Sequence, residues 1–249
     1  MNVRLAVIGS SPAWPNPGGA HSGYLVEARG RRVLLDCGPG VLPRLRASEA
    51  WPAVDAIVIT HFHLDHWGDL VPWAWGAMFR QRAAANGDGN IRPELFVHPG
   101  GHDRLTAFGE QLGFPDMFDW VFEVREYPAE QPFEVAGLEL IALRLPHYTV
   151  ETYGFRVASD DTTLAYSGDS GPSERLADLA RDADLFVCEA TLASSDADGT
   201  PRGHLSVDEA VAAFDASGAR RLLLTHRPTE LPVAAGLELA YDGLELEVG

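Results

Sequence analysis

Ile57-Val58-Ile59-Thr60-His61-Phe62-His63-Leu64-Asp65-His66 is the stretch on which the fold turns. Its first four residues form a short β-branched run, the composition of a buried strand. Directly after it stand four metal-ligating side chains within six positions. Alternation along an extended strand end puts His61 and His63 on one side, so two imidazoles can meet one ion. Asp65 and His66 open the next helix, and the turn required there carries them toward a second ion. Imidazole and carboxylate suit zinc and its neighbours in the first transition row. A histidine-rich surface turn has no reason to concentrate four such residues at a strand end, so a metal centre is expected.

Two coordination spheres need more ligands than one short cluster supplies, and other strand ends offer three. His147 follows the apolar run at residues 138–145. Asp169 lies in Tyr166-Ser167-Gly168-Asp169-Ser170, beside a glycine that lets the backbone turn sharply. His226 follows the apolar run ending at Thr225 as His61 follows Thr60. Each alone reads as an ordinary structural residue; three at three strand ends point to one site.

Working outward, strands and helices alternate from end to end without a low-complexity linker. Residues 3–8 read as a strand, 9–19 as a Gly/Pro/Ser loop, and 22–28 with 32–35 as a hairpin turning at Gly30. Residues 67–85 suit a buried helix, with Pro72 in its first turn or kinking it. Residues 86–90 read as a loop, 95–98 as a strand and 103–112 as a helix. From 120 to 166 a period of two dominates, with strands at 138–143, 153–158 and 162–166. Helical spacing returns at 173–181, and a strand follows at 184–188. Ser206 caps a helix at 206–216, with Glu209 three residues on. Strands at 221–225 and 244–248 follow. The order predicts an α/β sandwich, taken as one domain over residues 1–249.

Bulk properties narrow the partners. With 249 residues, 46% hydrophobic and 22% charged, the chain can bury a sizeable core and does not have a disordered composition. Nineteen basic side chains against 36 acidic ones give a formal charge of −17. That charge repels polyanions and no basic patch is evident, so long nucleic acid is not the expected partner. Cys37 and Cys188 are too few for a disulfide framework and leave room for one bridge at most. No stretch approaches ~20 apolar residues and the amino terminus has no signal design, so no membrane association and a cytoplasmic location are expected.

The ordered set His61-x-His63-x-Asp65-His66, His147, Asp169 and His226 resembles the metallo-β-lactamase superfamily. Leu34-Leu35-Asp36-Cys37-Gly38 and the region of Gly9 are similar to its amino-terminal strands, so the resemblance covers nearly the whole chain. It implies a four-layer αββα sandwich with two divalent ions at one edge of the sheets, zinc first, manganese or iron as alternatives. Carried over, His61, His63 and His147 hold one ion. Asp65, His66 and His226 hold the other, and Asp169 bridges both. Asp36 would fix a ligand imidazole from behind.

Class B β-lactamases of the commonest type have Cys where this chain has Asp169, which argues against that activity. Residues 146–156, from Pro146-His147 to Gly154-Phe155-Arg156, resemble the third-histidine segment of the ribonuclease Z-like group. Cys188-Glu189-Ala190-Thr191 resembles its His-Glu-Ala-Thr loop, and Gly203-His204-Leu205-Ser206 the His segment that follows. In that group the Glu and the His form a dyad that protonates or stabilises the leaving group. On this resemblance Glu189 and His204 join Asp65 as catalytic residues. The chemistry is coherent: a hydroxide generated between two ions is a nucleophile at neutral pH, and a departing alkoxide needs a proton. Read without the resemblance, Ser206 is a helix cap, and Glu189 is an ordinary strand-end carboxylate.

The chain also departs from the group. Cys188 replaces the usual His, and only 22 positions separate His147 from Asp169, too few for the long substrate loop of transfer-RNA processing enzymes. No extended Gly/Pro-rich arm stands out. The expected substrate is therefore a small or cyclic phosphodiester, and Ser22-Gly23-Tyr24 is similar to a segment of cyclic nucleotide or cyclic phosphate phosphodiesterases. A ribonuclease Z-like RNA endonuclease and a lactone or thioester hydrolase are the rival activities. A metal-holding sensor without turnover is disfavoured by the intact ligand set, and a homodimer stays open. His98 and His102 read as loop or rim residues without a partner carboxylate, and His21 as mainly solvent-exposed. Trp67, Trp73, Trp75 and Phe79 read as core first and a substrate wall or dimer face second. Arg220 and Arg221 read as a short charge pair.

Overall fold

The computed structural model describes residues 3–48, 54–83 and 92–249. The loop expected at 86–90, the last two positions of the helix expected at 67–85, and the side chain of Phe79 lie outside the described residues. In the first half come β1 (Val3–Gly9), β2 (Gly23–Ala28), β3 (Arg31–Leu35), α1 (Val41–Ala47), β4 (Ala56–Val58), α2 (Leu64–Trp67), α3 (Leu70–Ala83), β5 (Glu94–Val97), α4 (Gly101–Gln111) and β6 (Glu123–Glu126). The second half continues with β7 (Pro132–Val135), β8 (Leu138–His147), β9 (Val150–Ser159), β10 (Thr162–Tyr166), α5 (Arg175–Leu179), β11 (Leu185–Glu189), α6 (Val207–Ser217), β12 (Leu222–Thr225), β13 (Glu238–Leu239) and β14 (Glu245–Val248).

These strands form two mixed sheets, ordered β14-β1-β2-β3-β4-β5-β6 and β13-β12-β11-β10-β9-β8-β7. In the first, the β1–β2–β3 hairpins are antiparallel and β3 to β6 run parallel. In the second, β7 to β10 are antiparallel and β10 to β13 parallel. The chain returns at its end, where β14 pairs with β1, Val3 facing Val248.

Alternation along each strand builds the layers. Val3, Leu5, Val58 and Phe96 of the first sheet meet Leu140, Phe155, Tyr166 and Val187 of the second in a core between the sheets. Leu25, Leu34 and Ile57 point the other way, under Leu45 of α1, Trp67 of α2, Trp73 of α3 and Leu105 of α4. Phe186, Cys188 and Leu224 are covered by Leu176 of α5 and Ala210 of α6. The result is the αββα sandwich. Trp67 and Trp73 are buried, and Trp75 packs on Phe114, so the described tryptophans of that run are packing residues.

Several boundaries differ from the sequence expectation. The helix expected from 67 begins instead as the short α2, breaks at Gly68 and Asp69, and restarts at Leu70. Pro72 then lies in the first turn of α3, where its missing N–H costs no helix bond. The β8 and β9 strands run past their expected ends and pair as far as His147 with Val150. Helix α5 is confined to Arg175–Leu179. The expectation omitted α1 and the short strands β6, β7 and β13, of which β6 carries three charged residues in four and shows no apolar alternation. Both cysteines are buried and free. Among the described residues no helix is long and apolar enough to cross a membrane.

Candidate metal centre

Six strands end at one edge, and the side chains singled out in the sequence stand just there. Asp36 follows β3, His61 and His63 follow β4, and Asp65 and His66 lie on α2; these come from the first sheet. His147 ends β8, Asp169 follows β10, Glu189 ends β11 and His226 follows β12; these come from the second. Ligand atoms of His61, His63, His147 and Asp169 all lie within 4.8 Å of one another, and so do those of Asp65, His66, Asp169 and His226. Asp169 belongs to both groups. Its Oδ2 is 3.9 Å from His61 Nε2 and 3.8 Å from His147 Nε2, while its Oδ1 is 3.2 Å from His66 Nε2. His63 Nδ1 and His147 Nε2 are 2.9 Å apart, and His226 Nε2 is 3.1 Å from Asp65 Oδ2.

Backbone strain accompanies this convergence. Asp36 and His226 hold left-handed φ of 61° and 52°, costly conformations for residues with a Cβ and concentrated at functional sites. Gly168, at φ 57°, brings Asp169 round with the chain so close to Thr60 that a Cβ would lie 2.9 Å from Thr60 Cγ2.

The residues fit divalent cations. His61 Nε2, His66 Nε2 and Asp169 Oδ1 are buried with no hydrogen-bond partner, and an unsatisfied buried polar group costs ~1–3 kcal/mol. The opposite ring nitrogens are already engaged. His61 Nδ1 meets Thr60 Oγ1 at 3.0 Å, His66 Nδ1 meets Asp36 Oδ2 at 2.7 Å, and His147 Nδ1 meets the Gly203 carbonyl at 2.6 Å. Each contact favours the tautomer whose Nε2 lone pair faces the centre.

Electrostatics agree. Burial, then the neighbouring imidazole of His66, pushes the His61 pKa well down, keeping that ring in the neutral form a ligand needs. Burial alone would raise the Asp169 and Asp65 carboxyls, but the surrounding histidines hold both below the usual carboxylate range. Burial opposes a charged His66, yet Asp169, Asp36 and Asp65 together lift its pKa well above the ordinary value. Three carboxylates around one imidazole mark a strong attraction for positive charge.

Beside Asp169, the buried Glu189 accepts hydrogen bonds from Ser170 N–H at 3.0 Å and from Thr191 N–H at 3.1 Å. Its Oε1 also lies 2.9 Å from His204 Nδ1, and His204 Nδ1 is 3.9 Å from Asp169 Oδ2. Burial works against a charged His204, but the hydrogen bond and charge of Glu189, with Asp169 and Asp198, raise its pKa to about 9. The ring stacks at 5.7 Å on His226. All nine side chains named from the sequence as ligands or catalytic groups thus meet at one edge.

Other histidines depart from the expectation. His98 lies in the loop directly after β5 but is buried, donates from Nδ1 to the Pro99 carbonyl at 2.7 Å and packs on Phe62, so it is a packed residue and not an exposed rim residue. His102 does have a partner carboxylate, Asp119 at 3.0 Å. His21 is half-buried and not mainly solvent-exposed; burial lowers its pKa against the pull of Asp65. Arg220 and Arg221 pair separately with Asp184 and Glu238. Sequence reading gave no role to Thr60 or Thr191. Thr60 links Asp36 to His61, and Thr191 Oγ1 links Glu189 to His226 Nδ1 at 2.9 Å each. Both lie inside the quoted motifs, which was the available signal.

The sequence model described as Beta-lactamase superfamily domain matches residues 31–227. The probable metallo-hydrolase YhfI of Bacillus subtilis (strain 168) is 29% identical over 226 residues, covering 91% of this chain and 87% of YhfI. Ribonuclease Z of Mycobacterium bovis (strain BCG / Pasteur 1173P2) is 29% identical over 248 residues, covering 90% and 85%. The crystal structure of YhfI, a metallo-β-lactamase fold protein, matches with a TM-score of 0.83 at 24% identity, over 99% of this chain and 100% of that one. The short form of human tRNase Z matches with a TM-score of 0.75 at 22% identity, over 99% of each.

Proposed function

The chain belongs to the beta-lactamase superfamily, and from that premise we propose that it is a dinuclear metal-dependent phosphodiesterase for a small or cyclic phosphodiester. His61, His63 and His147 would hold one ion and Asp65, His66 and His226 the other, with Asp169 within reach of both. Zinc suits this set of nitrogen and oxygen donors, with manganese or iron as alternatives. When bound, the ions supply Lewis acidity toward the phosphoryl oxygens and toward water. The protein supplies the rest. Glu189 holds the Nδ1 proton of His204 and thereby orients the ring, and His204 Nε2 gives a proton to the departing oxygen. The single observation that carries this reading is the Glu189–His204 contact of 2.9 Å against the shared Asp169. An alkoxide departs poorly without such a donor. The charge of −17 supports a small substrate over long RNA.

The test compares a 3′,5′-cyclic nucleotide, which loses an alkoxide, with bis(p-nitrophenyl) phosphate, which loses an unassisted phenolate. Metal-loaded protein, holding close to two equivalents by elemental analysis, should turn over both faster than precursor transfer RNA. In His204→Ala the cyclic nucleotide reaction should slow ~10²–10⁴-fold, the usual worth of general acid catalysis. The aryl ester should slow only mildly, and metal content should hold. Equal losses on the two substrates remove the proton-donor role. Preference for the RNA, or for a lactone included as a control, overturns the proposal.

A further inference from the structure

His204 lies on a long connection between β11 and α6 whose ends are tied together. Leu192 and Ser206 form an isolated bridge, and Leu192 N–H donates to the Leu205 carbonyl at 2.9 Å. A proton donor on such a loop needs anchors, because a misplacement of about 1 Å can cost ~10²-fold in rate. His204 is anchored on three sides. Glu189 holds its ring, and Arg202 donates to its carbonyl at 3.1 Å while pairing bidentately with Glu209 at 2.6 and 2.8 Å. Its own N–H donates to Asp198 Oδ2 at 3.2 Å.

Asp198 gathers more than that one bond. Oδ2 also accepts from Gly203 N–H at 2.8 Å, and Oδ1 accepts from Gly199 N–H at 2.8 Å and from the Tyr148 hydroxyl at 3.1 Å. Tyr148 directly follows His147, in the two-residue turn between β8 and β9, with a left-handed φ of 48°. Its N–H donates to the Arg202 carbonyl at 3.2 Å, and its ring lies against both His147 and His204. The ring fills the space a Cβ at position 203 would need, 2.2 Å away, so any side chain there would displace the Tyr148 ring. The Gly203 carbonyl in turn accepts from His147 Nδ1 at 2.6 Å. The loop carrying His204 is therefore fastened to the hairpin carrying His147 at several points, and Asp198 and Tyr148 close the connection.

We propose that Asp198 and Tyr148 are positioning residues that hold His204 at a fixed distance from the ion-holding hairpin. Neither contributes a ligand or a proton; they act through His204. The proposal rests on the reading of His204 as proton donor, and its test separates the two.

Asp198→Ala should lower kcat for the cyclic nucleotide ~10–100-fold, the scale of a small misplacement, with KM little changed. On bis(p-nitrophenyl) phosphate the change should stay within about threefold, because that leaving group needs little help from a donor. Tyr148→Phe, which removes one hydroxyl and keeps the ring, should give a milder loss of ~3–10-fold with the same dependence on leaving group. Metal equivalents should not change in either, and amide hydrogen exchange at Gly199, Gly203 and His204 should quicken. In the background of His204→Ala, Asp198→Ala should cost nothing further, since the residue it positions is gone. Equal losses on the two substrates, additive losses in the double variant, or loss of metal overturns the proposal. If Asp198→Ala does not fold, Tyr148→Phe decides by the same criteria. An unaffected His204→Ala overturns the proton-donor reading and this proposal with it. A severe His204→Ala beside unaffected Asp198→Ala and Tyr148→Phe overturns this proposal alone.

Discussion

At Asp36 three groups converge on two buried carboxylate oxygens: Thr60 through its N–H and hydroxyl, the Tyr166 hydroxyl at 2.8 Å, and His66 Nδ1 at 2.7 Å. The carboxylate can only accept there, so it selects the His66 tautomer protonated on Nδ1 and turns the Nε2 lone pair toward Asp65 and Asp169. Asp36→Asn is nearly the same size but can place an amide N–H against Nδ1. The imidazole would then carry its proton on Nε2, where a ligand needs its lone pair. Affinity for the ion on the side of His66 should fall ~10–100-fold, while the other site binds as before. Zinc titration with a competing chelator measures this. Two unchanged affinities would mean that something other than Asp36 sets the tautomer.

Among the elements, α6 depends on charges at its start. Ser206 N–H donates to Glu209 at 2.9 Å as part of a capping box, and Arg202 grips the same carboxylate. The hydrogen bond from Arg202 leads, against a smaller penalty from burial, in pulling the Glu209 pKa from 4.5 down to about 2. A depressed carboxyl pKa means the folded state prefers the charged form. The stabilisation is therefore complete above the unfolded value of 4.5 and fades as the pH falls from there toward 2. Glu209→Gln should melt below the wild type at pH 7, and the gap in Tm should narrow steadily between pH 5 and pH 3. A gap that is constant with pH would show that the charge of Glu209 contributes nothing to the cap.

For the whole molecule, the edge site is a junction between the sheets. His61, His63, Asp65 and His66 come from the first, and His147, Asp169 and His226 from the second. Buried bonds already cross there, including Tyr166 to Asp36 and the Tyr24–Thr225 hydroxyl pair at 2.5 Å. Cations shared by these ligands would bind the folded state alone, so a ligand excess of 100-fold over Kd would add ~2.7 kcal/mol per site. In a chain of this size that is ~5–10 °C in Tm per site. Treatment with EDTA should lower Tm by at least that amount, and zinc should restore it. A Tm indifferent to both would show that the cluster does not hold ions that bridge the sheets.

The sequence by itself determined which side chains have metal-ligand chemistry and roughly where strands end, because both are local facts. The apolar run at 57–59 followed by His61, His63, Asp65 and His66 is visible in adjacent residues, and so are the strand-end settings of Asp169 and His226. The same locality hid other features. Helix α1 is short and contains Pro43, and its amino end is held by Asp69, whose Oδ2 accepts from Leu42 N–H at 2.8 Å across 27 positions. The β6, β7 and β13 strands are short, with no run of apolar alternation to announce them. Only the tertiary structure decided that His98 is buried against Phe62, that Thr60 and Thr191 tie ligand to carboxylate, and that Asp198 reaches both Tyr148 and His204. Each involves at least one contact between segments distant in the chain, brought together where the strands of one sheet end side by side. A hydrogen bond across 50 positions, as between Tyr148 and Asp198, leaves no period or spacing in the sequence.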